Sequence, residues 1–229
     1  MKKTASFVFS TGVVGYPLLF VLAIWIVYWF EVRFGYDFTV YGIFPRTVSG
    51  LKGIFFSPFI HSSLKHLYNN TLPFFFLSSG LFYFYRRISW KVMAFGTVLT
   101  GIITWLIARD AYHIGASGII YMLSSFVFFR GIIVKQYRLI ALSLIVVFLY
   151  GSLVWYVFPV DDRISWEGHL SGFLTGLIFA FLFKENNRKE IDIETTIGDE
   201  NDPFLNHFDA DGNFIPTSAL ENEKNENKE

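Results

Sequence analysis

Apolar positions along this chain gather into six charge-free runs, at 13–30, 67–85, 92–108, 114–129, 139–160 and 168–183. Each lies near or somewhat below the roughly 20 residues that a membrane-spanning helix needs. The alternation expected of a half-buried strand is absent from them, and their length favours helices. The pattern predicts six spanning helices. Pro17 is expected in the first turn of the first helix and Pro73 inside the second, where it should bend the helix.

Charged residues sit between the runs and set an orientation. Lys2 and Lys3 precede the first run. Arg86, Arg87 and Lys91 join the second and third, and Arg130, Lys135 and Arg138 join the fourth and fifth. Lys184, Arg188 and Lys189 follow the sixth. The alternate loops are poorer in cations: Arg109 is expected to face Asp110, and Arg163 is outnumbered by Asp161, Asp162 and Glu167. The positive-inside rule then puts both termini in the cytoplasm. The opposite loop at 31–63 is long and aromatic, which suits the membrane interface.

Composition agrees with lipid as the solvent. Of 229 residues, 53% are hydrophobic and 20% aromatic, and the mean hydropathy is +0.43. The zero net charge conceals an asymmetry. Residues 185–229 hold 13 acidic and 4 basic side chains (−9), and residues 1–184 hold 6 and 15 (+9). A basic body can mean nucleic acid, but these cations lie between apolar runs, so no nucleic-acid partner is expected. The chain divides into a six-helix membrane domain, 1–184, and an acidic tail, 185–229, too polar to bury a core. Within the tail, Asp209-Ala210-Asp211-Gly212-Asn213 only faintly resembles a calcium loop. Leu220 stands where the closing glutamate belongs, so a turn is expected. With no cysteine there is no disulfide or thiolate chemistry.

Candidate chemistry lies at the outward ends of three helices. Ser117 opens the fourth run among small residues, in Gly115-Ala116-Ser117-Gly118. His169 opens the sixth, and His66 and Asn70, one helical turn apart, open the second. Measured from each cytoplasmic end, Ser117, His169 and Asn70 stand roughly 18, 21 and 22 Å up, equal within one turn. Polar groups at such a depth face a protein interior or a water-filled hollow rather than lipid. A histidine can take the proton from a serine hydroxyl and make it a nucleophile. Asn70, His66 and the unpaired backbone N–H groups at the start of the fourth helix are candidate oxyanion donors. Glu167 is off the face of His169 and nearer the surface, so a Ser–His dyad is expected rather than a triad.

Blander uses compete with these. His66 and Asn70 could cross-link helices by hydrogen bonds. Gly168, Gly172 and Gly176, spaced four apart, read first as a packing face. His61 and His113 read as interfacial loop histidines. A metal site of His61, His66, His113 and His169 is disfavoured, because His61 and His66 are five apart rather than four. No internal repeats or paired intramembrane charges suggest a transporter.

The motifs His61-x4-His66-x3-Asn70, Gly115-Ala116-Ser117-Gly118 with Tyr121, and Gly168-His169-x2-Gly172-x3-Gly176 occur in this order. Through them the chain, over roughly residues 10–184, resembles the rhomboid family of intramembrane serine proteases. The resemblance implies Ser117 as nucleophile and His169 as general base and acid. It implies His66 and Asn70 as oxyanion donors with the Ser117 backbone N–H, and Tyr121 packed against the His169 ring. It further implies a multi-pass protein of the bacterial cytoplasmic membrane, in the basic six-helix form. Such a protein would cleave single-span membrane proteins near the outer face without metal or cofactor. A non-catalytic relative that binds membrane segments is the alternative, against which retention of Ser117 and His169 argues. Where many bacterial members carry a Trp-Arg pair in the first outer loop, this chain has Phe44-Pro45-Arg46. The oligomeric state is not legible.

Overall fold

The computed structural model describes residues 10–149, 155–161, 164–183, 207–208 and 212–216. Ser6–Asn186 form one compact unit, and Met1–Ala5 with Asn187–Glu229 form another. In the second unit, Phe208 and Phe214 make an isolated antiparallel bridge, and Ile215 N–H donates to the His207 carbonyl at 2.6 Å. Asp209, Ala210, Asp211 and Leu220 of the calcium-like stretch lie outside the described residues. So do Lys2, Lys3, Asp162, Arg163, Lys184, Arg188 and Lys189, on which part of the charge argument rested.

The larger unit runs α1 (Thr11–Phe34), α2 (Gly53–Phe56), α3 (Leu64–Phe84), α4 (Ser89–Ile107), α5 (Ser117–Val134), α6 (Tyr137–Leu149) and α7 (Trp166–Leu182). Short 3-10 turns flank α2, and another, Trp155–Val157, precedes α7. Among the described residues there is no β-strand. Helices α1, α4 and α5 are long and apolar enough to cross a membrane.

The apolar runs locate these helices but not their ends. Helix α1 starts at Thr11, so Pro17 is its seventh residue rather than part of its first turn. The Val13 carbonyl therefore loses its usual helical donor, while Val13, Pro17, Val21 and Ile24 form the buried stripe of the helix. Helix α3 is continuous through Pro73. The fifth run carries a helix described only to Leu149. Its far end turns at Trp155–Val157, two residues before Pro159, where a proline bars helix continuation.

Helix α5 is the core of the bundle. Of its apolar window 61% is buried, against 22% for α1 and 28% for α4. Its Ile120, Leu123 and Phe126 pack with Leu77 and Leu81 of α3, Leu139 of α6 and Phe179 of α7. The α5–α7 contact is unusually close. A Cβ added at Gly172 would lie 2.1 Å from the Gly118 carbonyl oxygen, and one at Gly176 would lie 2.2 Å from that of Met122. The glycine row is thus a packing face, and Ser125 Oγ–H crosses it to the Phe173 carbonyl at 2.8 Å.

The long loop after α1 is a folded segment rather than a free one. Phe30, Tyr36 and Phe38 stack along it, and Trp105 of α4 donates its indole N–H to the Thr47 carbonyl at 2.8 Å. Arg46 does the anchoring in Phe44-Pro45-Arg46. Its guanidinium donates to the Ala108 carbonyl at 2.6 Å and pairs with Asp110. Asp110 therefore belongs to Arg46, and the expected Arg109–Asp110 pairing is replaced by an ion pair between Arg109 and Glu167.

Candidate active site

Helix α5 begins at Ser117, three residues inside its apolar run, because the preceding backbone cannot be helical. Gly115 has φ +104°, a region side chains disfavour, and its N–H donates to the Ser57 carbonyl at 2.8 Å. The buried Ala116 is the N-cap, its carbonyl accepting from Ile119 and Ile120 at 3.0 and 3.1 Å. Ser117 is thus the first helical residue, and N–H groups at that position have no intrahelical acceptor.

Helix α7 starts beside it. Ser165 stands at the N-cap position without a side-chain cap bond, and Glu167 occupies the first turn, where a negative charge suits the helix dipole. His169 sits just inside, its N–H donating to the Ser165 carbonyl at 3.2 Å. The α5–α7 packing places His169 Nε2 2.8 Å from Ser117 Oγ. On the far side of the ring, His169 Nδ1 lies 2.9 Å from the Tyr156 carbonyl oxygen. A carbonyl can only accept, so Nδ1 carries the proton and Nε2 is free to accept the Ser117 Oγ–H. Tyr121, one turn beyond Ser117, lies flat on the imidazole at 4.2 Å between ring centroids, 16° from parallel.

No carboxylate bonds His169 among the described residues. Glu167, two residues before His169, is 2% exposed. It accepts from the Arg109 backbone N–H at 3.3 Å and pairs with the Arg109 side chain at 3.7 Å. The Ser117–His169–Tyr156 series therefore ends on a backbone carbonyl.

His66 and Asn70 face the loop that carries Ser117. A Cβ added at Gly115 would stand 2.7 Å from His66 Nε2 and 3.8 Å from Asn70 Nδ2, so both nitrogens border the space in front of that glycine. Asn70 donates one amide hydrogen to the His66 carbonyl at 2.9 Å, and the other has no partner among the described residues. His66 Nδ1 lies 3.3 Å from Ser62 Oγ. Behind Ser117, a cavity of about 40 Å³ is bounded by residues including Ser57, Thr100, Thr104, His113 and Ser165. That is room enough for water in a polar setting.

His61 and His113 stand in loops, as expected, but both are buried within the fold, at 3% and 4% exposure. The His61 ring packs edge-on against His66, centroids 5.0 Å apart, and burial pushes its pKa down to about 3. His113 pairs through its backbone with Ile43 of the long loop, which draws its ring inward against Ser165 and Arg109. Burial also lowers its pKa. Tyr156 acts through its backbone, so its side chain gave no signal of the role. Ser165 stands at a helix start, but its hydroxyl goes to His113 rather than to a cap bond, and no spacing in the sequence links the two.

A family model described as the Rhomboid domain matches residues 49–186. An uncharacterized protein of Mycobacterium tuberculosis and one of Mycobacterium bovis are each 33% identical over 186 residues, 75% of this chain and 75% of theirs. An uncharacterized protein of Mycobacterium leprae is 34% identical over 153 residues, 61% of this chain and 59% of its own. With the domain match covering more than half its length, and its helices those of an integral membrane protein, the chain belongs to the rhomboid family.

Proposed function

We propose that this protein is an intramembrane serine endopeptidase that cleaves single-span membrane proteins near the outer face of the bilayer. The observation that carries the proposal is the pair of bonds to one imidazole. Ser117 Oγ stands 2.8 Å from Nε2, and the Tyr156 carbonyl stands 2.9 Å from Nδ1.

The chemistry follows from that arrangement. As Ser117 Oγ attacks the scissile carbonyl carbon, its proton passes to His169 Nε2. The carbonyl oxygen becomes an oxyanion, to which Asn70 Nδ2–H, a His66 ring N–H and the Ser117 backbone N–H are donors. His169 then gives its proton to the leaving amine. It next takes one from water, whose oxygen attacks the acyl carbon, and returns it to Ser117 Oγ as the ester C–O bond breaks and the new carboxyl end leaves. Tyr121 fixes the plane of the imidazole throughout, and no step uses a metal or cofactor.

In the membrane, α1, α3, α4, α5, α6 and α7 serve as six spans, both termini facing the cytoplasm of a bacterial cell. The aromatic loop between α1 and α3 lies in the outer interface. Residues 185–229 form a separate cytoplasmic tail. A non-catalytic segment-binding relative is disfavoured because a binding role has no need of an aligned hydroxyl and imidazole.

The test is labelling of the detergent-solubilised protein by a serine-directed fluorophosphonate, with cleavage of a single-span substrate assayed in parallel. Labelling of wild type that Ser117→Ala and His169→Ala abolish is expected. Undiminished cleavage by either variant, with the helices intact, overturns the proposal.

A further inference from the structure

A second serine–imidazole pair lies four residues before the first along both segments, with histidine and serine in the opposite chain order. Ser165 Oγ is 2.6 Å from His113 Nδ1, and His113 Nε2 is 3.0 Å from the Arg109 carbonyl oxygen. The carbonyl accepts, so Nε2 carries the proton and bare Nδ1 accepts the Ser165 Oγ–H. Both residues border the cavity behind Ser117.

The position of this pair in the chain matters more than its chemistry. His113 is four residues before Ser117, and Ser165 is four before His169. The His113 backbone pairs in both directions with Ile43, at 2.9 and 3.0 Å, and the Ser165 carbonyl receives the His169 N–H. Arg109 adds a second tie. Its guanidinium donates to the Ile164 carbonyl at 2.7 Å, and its backbone N–H donates to Glu167. The loop delivering Ser117 and the helix start delivering His169 are thus joined behind the site by partly buried polar bonds. Such bonds are costly to leave half-made.

We infer that His113 and Ser165 are positioning residues: their bond fixes the loop before α5 against the start of α7 and so sets the Ser117–His169 alignment. The inference rests on the serine-protease reading for its catalytic consequence. Small misplacements of reacting groups are expensive, about a hundredfold in rate for an ångström. Neither residue touches the reacting atoms.

The experiment uses full-length protein in detergent, with rates normalised to titrated active sites. His113→Ala and Ser165→Ala should each slow fluorophosphonate labelling by about ten- to a hundredfold, and kcat for a single-span substrate should fall in step while KM holds. The double variant should be no slower than the slower single one, because one bond is lost in all three. His113→Asn, which retains an acceptor at the Nδ1 position, should recover more activity than His113→Gln, which retains only the donor towards Arg109. A loss of folded protein alone would lower yield and leave the normalised rates unchanged.

Wild-type labelling rates in both alanine variants overturn the inference. Absence of labelling in wild type overturns the protease reading instead, and amide hydrogen exchange then decides the clamp. Substituting either residue should speed exchange in both 110–117 and 164–170. Loosening confined to the substituted segment refutes it.

Discussion

Tyr121 and His169 lie face to face, their rings 4.2 Å apart and 16° from parallel, while the buried Tyr121 hydroxyl has no hydrogen-bond partner among the described residues. The contact is therefore made by the ring and not by the hydroxyl. Tyr121→Phe should retain cleavage and be neutral or slightly stabilising, since it removes an unsatisfied buried oxygen. Tyr121→Ala should lose most activity and about 3–5 kcal/mol of stability, as for a deleted core aromatic. Cleavage kinetics and thermal melts of the two variants make the comparison.

His66 and Asn70 border the same space beside Gly115. If they hold the oxyanion, Asn70→Ala and His66→Ala should each lower kcat by roughly 10- to 1,000-fold. Binding of an uncleavable substrate segment should be unchanged. Lost expression with normal specific activity would show helix cross-linking to be their whole role.

Gly172 meets backbone rather than a side chain that could swing aside, with a would-be Cβ 2.1 Å from the Gly118 carbonyl oxygen. Gly172→Ala must push α7 away from α5, next to Ser117. The expected cost is about 1–3 kcal/mol from overpacking, together with loss of fluorophosphonate labelling even where the protein still folds. Unaltered labelling would mean that the helices can part without separating the dyad.

Arg46 joins the long loop to the end of α4 through the Ala108 carbonyl and Asp110. Both partners of the ion pair are well exposed, so the pair contributes under about 1 kcal/mol. Arg46→Ala should barely change the melting temperature. It should speed hydrogen exchange over residues 39–52, where the Trp105–Thr47 bond and the Arg46 N–H to Trp105 carbonyl bond remain.

Burial first, and the neighbouring His66 ring second, lower the His61 pKa from 6.5 to about 3. In the unfolded chain this imidazole takes up a proton below its ordinary value, whereas in the folded chain it stays neutral. Its contribution is therefore fully present above pH 6.5 and is lost as pH falls towards 3. Stability should decline by up to about 1.4 kcal/mol per pH unit in that window, and His113, shifted in the same direction, should add to it. Melting temperatures measured against pH should show a shallower acid decline for His61→Gln.

The sequence by itself located most of the helices and named two side chains that meet, Ser117 and His169. Long charge-free runs favour helices because a helix satisfies its own backbone in lipid, and counting residues at a fixed rise led to the expectation that Ser117, His169 and Asn70 share one level. The glycines at 168, 172 and 176 announced a close helix contact, because only backbone without a Cβ allows it. Side-chain partners did not follow from such counting. That Glu167 takes Arg109 and Asp110 takes Arg46, that His113 turns inward to Ser165, and that the Tyr156 carbonyl holds the proton of His169 are decisions of three-dimensional packing. A hydrogen bond depends on where two chain segments meet and on backbone groups that every residue possesses alike, and neither is written in the order of side chains.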